Sequence, residues 1–120
     1  AERLYADALA RREAALGAEH PETAASVNNL AVLLLELRRH GEALPLLRRA
    51  ANIARATAGA AHPHYATALG NLASGLQLLG KAAEARTRFA RALKINAAAL
   101  GDDHPSTQAA REALEALGRS

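Results

Sequence analysis

The chain has 120 residues, half of them hydrophobic, but only two Tyr, one Phe and no Trp, Met or Cys. Its 33 Ala and 20 Leu residues favour helices, whereas Val, Ile and Thr, on which sheets draw heavily, total only nine. The net charge of +3 is too small to indicate a nucleic-acid or membrane partner, and the lack of Cys excludes disulfides and thiolate metal sites. We therefore expect one all-α domain.

The first predicted helix covers residues 1–16 and is followed by the sequence Gly-x-x-His-Pro at residues 17–21. The same sequence recurs at 59–63 and, after an equal interval, at 101–105. Segments 17–58 and 59–100 share 16 identical positions, which include Gly, His, Pro, Asn and Ile residues in one register. Two unrelated Ala-rich segments would not align in this way, so the sequence predicts a repeat protein.

Each 42-residue unit contains two predicted helices. The first begins at the Pro after His, because a residue without an N–H group is well tolerated at the first helical position. Its apolar residues follow the i, i+3, i+4, i+7 spacing of one helix face. They are Val27, Leu30, Ala31, Leu34 and Leu37 in the first unit, and Leu69, Leu72, Ala73, Leu76 and Leu79 in the second. The second helix ends before Gly59 or Gly101, since glycine can adopt the left-handed conformation that ends helices.

Two residues of the first unit depart from the pattern of the second. Arg38 stands between the helices where the second unit has Gly80, and this predicts a slightly different turn. Pro45 lies early in the second helix, where it removes one backbone hydrogen bond. We therefore expect a local irregularity near Pro45, within residues 39–56.

The two ends of the chain match parts of the unit. Tyr5 lies one repeat period before Leu47, so the N-terminal segment aligns with a second helix. We divide the single array into residues 1–16, the second helix of a preceding repeat; 17–58, repeat one; 59–100, repeat two; and 101–120, a partial or capping helix. Arg111 and Glu115 occupy positions that are apolar in the earlier first helices, which suits a cap with one solvated face. Alternatively, the chain is an excerpt from a longer array.

Small and large residues occupy fixed positions in the units. The small ones are Ala31, Ala43, Ala50 and their counterparts, and the large series is Tyr5, Leu47 and Phe89. This arrangement resembles the tetratricopeptide repeat, whose common form has about 34 residues, and it favours that family over HEAT and armadillo repeats. The longer unit, with its Gly-x-x-His-Pro loop and Asn-Leu-Ala sequence, is similar to the kinesin light chain subgroup, which is widespread in bacterial proteins. The resemblance implies a right-handed α-solenoid of about six antiparallel helices that acts as a protein–protein interaction scaffold.

The sequence contains no convincing catalytic, metal or cofactor motif. Equivalent histidines His20, His62 and His104 are separated by two helix packings of about 8–10 Å each, too far apart to share a metal, so we expect them in loops or helix caps. Residues 75–81 mimic the phosphate-binding loop Gly-x4-Gly-Lys, but Ala82 replaces the required Ser or Thr and the segment belongs to an amphipathic helix. The match is a chance one. We expect no enzyme, no cofactor and no metal.

The resemblance places inner residues of the first helices on a concave, peptide-binding surface. These residues are Asn28, Asn29, Val32, Leu35, Glu36, Thr67, Gly70, Asn71, Ser74, Gln77, Leu78 and Glu112. It also implies that Asn29 and Asn71 hydrogen-bond the backbone of an extended peptide; alternatively, they cap or bridge neighbouring helices. Val32 and Leu35 would be exposed apolar residues unless a partner docks there. The groove is neutral to weakly acidic, so we expect an apolar peptide segment with one basic residue.

Other functions stay open as alternatives. The chain could be a structural spacer, or a self-association module of a larger regulatory protein that associates through exposed array ends. A basic stripe on the second helices could touch nucleic acid, but it lacks aromatic residues for stacking, so a solvated surface is favoured. Its residues are Arg48, Arg49, Arg55, Arg86, Arg88, Arg91 and Lys94. With no signal sequence and no apolar run near the roughly 20 residues of a membrane span, we expect a cytoplasmic protein without a membrane partner.

Overall fold

The described part of the chain forms six α-helices that pack against one another in chain order. The computed structural model describes residues 2–16 and 21–118. The helices are α1 Glu2–Leu16, α2 Pro21–Glu36, α3 His40–Ala58, α4 Pro63–Leu78, α5 Ala82–Leu100 and α6 Pro105–Gly118. Each helix packs against the next one along the chain, and the described residues contain no strand. The predicted all-α solenoid of antiparallel helix pairs is confirmed.

The period of the sequence recurs in the helix boundaries. The helices α2 and α4 both have 16 residues, and α3 and α5 both have 19. Corresponding helices begin one repeat period apart, at Pro21 and Pro63 and at His40 and Ala82. The helices of the two units therefore have equal lengths, so the residues that differ between the units do not change helix length.

The His-Pro sequence starts α4 and α6 by a specific capping hydrogen bond. His62 has extended backbone angles (φ −87°, ψ 140°), and its Nδ1 accepts a hydrogen bond of 3.0 Å from the backbone N–H of His64. His104 accepts from the N–H of Ser106 at 3.1 Å in the same way. Such a cap satisfies an N–H group that has no partner inside its helix. The capping interpretation is confirmed for these two histidines, and His20 lies outside the described residues.

Gly59 and Gly101, which precede two of the His-Pro sequences, adopt backbone angles that side-chain-bearing residues avoid. Gly59 has φ 103° and ψ 158°, and Gly101 has φ 92° and ψ 160°. The positive φ agrees with the sequence expectation. The ψ values do not, because they lie in an extended region populated almost only by glycine rather than in the left-handed helical region.

The turn between the two helices of a unit is the same in both units. Both turns have the two backbone hydrogen bonds of a Schellman motif, at 2.8–3.0 Å. After α2, the N–H of Arg39 donates to the Leu34 carbonyl (6→1) and that of Arg38 to the Leu35 carbonyl (5→2). After α4, Lys81 donates to Leu76 and Gly80 to Gln77 in the same way. Arg38 reaches this geometry with φ 61°, where Gly80 has φ 79°. The prediction of a different turn is therefore wrong. The turn is retained, and Arg38 adopts a conformation that costs a side-chain-bearing residue about 1–2 kcal/mol.

Pro45 lies within α3 without interrupting it. The helix α3 is unbroken over His40–Ala58 and has the bounds of α5 shifted by one repeat period, although α5 has Thr87 in the place of Pro45. The predicted irregularity near Pro45 therefore does not interrupt the helix. Pro45 is exposed and removes only a hydrogen bond to the first turn of the helix, where few preceding residues can be displaced.

Alanine and glycine form the close contacts between helices. Four alanines at equivalent positions are fully buried: Ala31, Ala43, Ala73 and Ala85. Gly75 brings α4 close to α3, because a Cβ at this position would lie 2.6 Å from Leu47 Cδ1. The segment 75–81 is thus packed helix and turn, which agrees with a chance match to a phosphate-binding loop.

The two ends of the array differ in polarity. Tyr5 on α1 is 42% exposed, whereas its counterparts Leu47 and Phe89 are 0% and 5% exposed. In the described part of the chain, no first helix covers α1 as α2 covers α3. At the other end, Arg111 is half-buried and Glu115 is exposed on α6. An apolar face is therefore accessible on α1 and a polar face on α6.

Replacing Arg38 by glycine should stabilise the protein, because glycine adopts positive φ without a steric cost. We expect Arg38→Gly to raise the free energy of unfolding by about 1 kcal/mol, measured by urea denaturation with circular dichroism detection. The reciprocal variant Gly80→Ala should lower it by a similar amount. Unchanged urea midpoints for both variants would contradict the strain at Arg38.

Removing the His62 cap should destabilise the protein. We expect His62→Ala to lower the free energy of unfolding by about 1 kcal/mol, because the N–H of His64 loses its acceptor. His62→Asn keeps a side-chain acceptor at the same position and should retain most of the stability. Equal losses for the two variants would show that the capping hydrogen bond does not contribute.

Candidate functional site

The first helices of the two units, α2 and α4, are neighbours, and α3 packs against both of them. The helices α2 and α4 approach one another more closely than α3 and α5 do. Side chains on the facing surfaces of α2 and α4 therefore border one groove. The second helix α3 packs beneath both of them and closes the bottom of this groove.

The predicted site residues differ in exposure, and Glu112 lies on α6, outside the groove between α2 and α4. The exposed ones are Asn29, Val32, Glu36, Thr67, Gln77, Leu78 and Glu112. The half-buried ones are Asn28, Leu35, Gly70, Asn71 and Ser74. Two large apolar residues are accessible, since Val32 is 36% exposed and Leu78 is 54% exposed. Both lie toward the carboxyl ends of their helices, α2 and α4.

A hydrogen bond links the two first helices across the groove. Asn71 Nδ2 donates to Asn28 Oδ1 at 2.9 Å. The interpretation that Asn residues bridge neighbouring helices therefore holds for Asn71, but its partner is Asn28 and Asn29 stays exposed. The partners are one residue out of repeat register, because Asn71 is the counterpart of Asn29.

The paired Asn side chains keep hydrogen-bonding capacity for a ligand. Each Asn amide group has one oxygen acceptor and one NH₂ group with two donors. Among the described residues, the Nδ2 donors of Asn28 and the Oδ1 acceptor of Asn71 have no partner. The pair thus keeps the two N–H donors of Asn28 and the carbonyl acceptor of Asn71 available to a ligand. Ser74 offers less, because its hydroxyl donates to the Gly70 carbonyl oxygen at 3.1 Å.

Beside this pair, a cavity of about 550 Å³ opens between α2, α3 and α4. It is lined by Ala24, Ala25, Asn28, Ala50, Ala54, Thr57, Ala58, His64, Thr67, Ala68 and Asn71. We call it the alanine pocket. Ala50 and Ala54 are buried at its deep end, whereas Ala25 and Thr67 are exposed at its mouth.

The sequence pattern places three lining residues in the groove and misses the floor of the pocket. Ala50, Ala54 and Ala58 form a stripe at i, i+4 and i+8 on α3, although the pattern indicates only a helix contact for Ala50. The stripe is visible in the sequence. The sequence does not show that this stripe borders a cavity, because a small residue can equally contact a helix or line a gap.

Several basic side chains of the second helices are paired. Arg48 forms two hydrogen bonds to Glu84, at 2.8 and 3.2 Å, and so joins α3 to α5. This hydrogen bond lowers the pKa of Glu84 below its ordinary value, and the charges of Arg48, Arg88 and Lys81 act in the same direction against an opposing effect of burial. Arg49 pairs with Glu13 at 2.6 Å. A phosphate on this stripe would therefore compete with carboxylates that are already in place.

The described residues also limit two other functions. Within residues 2–16 and 21–118, no group of three or more His, Asp or Glu side chains is arranged to hold a metal ion. In the same part of the chain, no helix is both long enough and apolar enough to span a bilayer.

Models of the tetratricopeptide repeat match the sequence over residues 1–56, 23–82 and 66–106. These matches cover most of the chain, so it belongs to the tetratricopeptide repeat family. Repeats of this family generally mediate protein–protein interactions. No curated protein matches the sequence.

Among solved structures, kinesin light chain-like repeat proteins share the fold. A Podosopora anserina protein described as a putative kinesin light chain with nearly identical TPR-like repeats is 28% identical, with a TM-score of 0.89 over 97% of this chain. A variant of that protein gives 27% identity and a TM-score of 0.90 over the same share. BtubC (BKLC) from P. vanneervenii is 24% identical, with a TM-score of 0.86 over 98% of this chain, and it supports the fold alone.

These comparisons confirm the predicted likeness to the kinesin light chain subgroup. The chain spans 55% of the length of each P. anserina structure and 46% of that of BtubC. The neighbours are thus longer chains, and their full activities do not transfer to this chain.

A double-mutant cycle should measure the hydrogen bond between Asn28 and Asn71. We expect Asn28→Ala and Asn71→Ala each to lower the free energy of unfolding by about 1 kcal/mol, and the double variant to lose little more than either one. Asn29→Ala, at the adjacent exposed position, is the control and should change stability by less than about 0.5 kcal/mol. Urea denaturation gives all four values. Strictly additive losses at positions 28 and 71 would contradict the bridge.

Proposed function

We propose that this chain is a protein-interaction scaffold that binds an extended peptide segment in the groove between α2, α3 and α4. The observation that carries the proposal is the Asn28–Asn71 pair, which keeps a free donor and acceptor at the edge of a cavity of about 550 Å³. Ligand sites in proteins are typically apolar cavities of about 300–1,000 Å³ with a few placed polar groups.

Exposed apolar side chains extend this surface along the groove. Val32 and Leu78 lie on the same two helices as the Asn pair and remain accessible to solvent. Exposed apolar residues beside a cavity are typical of interaction sites. Together with the alanine pocket they provide a strip of apolar surface long enough for several peptide residues.

Self-association is a second candidate, supported by the apolar face of α1. Leu4 is 69% exposed there, and Tyr5 beside it is also accessible. One helix face is small for a stable dimer, which requires about 800 Å² on each partner. Sedimentation velocity over a wide concentration range, with Tyr5→Glu as the comparison variant, distinguishes this function from peptide binding.

Nucleic acid is disfavoured as a partner of the second-helix surface. Arg48 and Arg49 are paired with Glu84 and Glu13, and a phosphate would have to replace those carboxylates. The stripe also lacks the aromatic residues on which single-stranded bases stack.

The proposed groove can be tested with peptides selected from a display library on the wild-type chain. We expect Val32→Glu and Leu78→Glu each to weaken binding of the selected peptides at least 10-fold, because each places a charge on the apolar strip. The matched control Ala90→Glu adds the same charge to an exposed position of α5 and should change the Kd less than 2-fold.

Isothermal titration calorimetry measures these constants, and circular dichroism checks that each variant is folded. The proposal fails if the two groove variants bind as tightly as the wild type. It also fails if only Ala90→Glu weakens binding, since the peptides would then occupy the second helices.

A further inference from the structure

The floor of the alanine pocket and the Asn pair beside it have different residues at the equivalent interface between α4, α5 and α6. Ala54 and Ala58 line its floor, and their counterparts in the second unit are the larger Asn96 and Leu100. The Asn pair is also specific to this interface, because the counterparts of Asn28 and Asn71 are Gly70 and Ala113. The residues that form the floor and the polar pair at the α2–α3–α4 interface are therefore not repeated at the next interface.

The lining of the pocket excludes charged occupants. None of its lining residues carries a permanent charge, and His64 at the mouth is the one titratable group among them. The hydroxyl of Thr57 donates to the Ile53 carbonyl oxygen within α3 at 2.8 Å, so it is engaged. A carboxylate or ammonium group entering this space would lose its hydration without gaining a counter-charge. Apolar side chains would lose only unfavourable contact with water.

The dimensions of the floor suit an extended backbone. From Ala50 to Ala58 the helix rises by about 12 Å, at roughly 1.5 Å per residue. An extended peptide covers this distance with about four residues, at roughly 3.3 Å per residue, and alternate side chains point to the same side. Two side chains, at positions i and i+2, can therefore enter the pocket together.

We propose that the alanine pocket selects the peptide by taking two bulky, uncharged apolar side chains at positions i and i+2, while Asn28 and Asn71 hold one backbone amide group of the same segment. This inference rests on the proposed function and adds the class of peptide that the groove recognises. The pocket discriminates between peptides by their side chains, whereas the Asn pair binds the peptide backbone and contributes affinity for any peptide sequence. Because alanine methyls line the floor, the bulk has to come from the ligand.

The test uses a position-scanning library of short synthetic peptides on the complete 120-residue chain. Selected peptides should be enriched in Leu, Ile, Phe or Met at two positions separated by one residue, and depleted there in Asp, Glu, Lys and Arg. Two variants then fill the pocket from opposite walls: Ala58→Leu on α3 and Ala25→Leu on α2. Both positions are at least partly accessible, so neither change overpacks the buried core, and the chain itself carries Leu100 at the counterpart of Ala58.

We expect each filled variant to weaken binding of the best peptide at least 10-fold and to shift the selection toward Ala or Gly at one of the two positions. The control Ala56→Leu makes the same change at an exposed α3 position outside the lining and should have no effect. Asn28→Ala with Asn71→Ala should weaken all peptides without altering the preference at i and i+2.

The failure of this inference is distinguishable from failure of the groove itself. If Val32→Glu and Leu78→Glu abolish binding but Ala58→Leu and Ala25→Leu do not, the peptide lies in the groove and the pocket is not its specificity site. A selection without the i, i+2 apolar preference has the same meaning. If all four variants bind as well as the wild type, both proposals are overturned.

Discussion

Close contact between helices at small residues is the constraint on which the rest of the structure depends. With three aromatic residues and no Met, the chain cannot fill wide gaps between helices, so their axes must approach one another at alanines such as Ala31 and Ala73. A single helix pair cannot bury its apolar face alone, and stacking of pairs completes the core. Because the contacts recur in every repeat, the helix ends recur as well, and His62 and His104 cap their helices by the same hydrogen bond.

The same use of alanine accounts for the alanine pocket. Where an alanine faces a neighbouring helix it permits close packing, and where it faces the gap between α2 and α4 it leaves space. The helices of the two units have the same lengths, but the counterparts of Ala54 and Ala58 in the second unit are the larger residues Asn96 and Leu100. The residues that recur in both units thus build the helical scaffold, and the residues that differ between the units form the candidate site.

Charges are distributed in a complementary way over the two sides of the array. Guanidinium groups on the second helices pair with carboxylates, and the Arg48–Glu84 pair joins one unit to the next. The groove side has a neutral cavity and a polar Asn pair instead. Ion pairs therefore connect the second helices of neighbouring units. The groove side instead has exposed apolar area and unpaired hydrogen-bonding groups that a partner could use.

The sequence alone determined the helices, their period and the family, and it limited His62 and His104 to loops or helix caps, because these features depend on local hydrogen bonding and on side-chain spacing along one helix. The family resemblance also predicted Asn28 and Asn71 as groove residues, without showing that they bind each other. Tertiary structure decided that pairing, the open space above Ala54 and the positive φ of Arg38. These features depend on where neighbouring helices and turns are held relative to one another, and a periodic pattern in one dimension does not specify those distances.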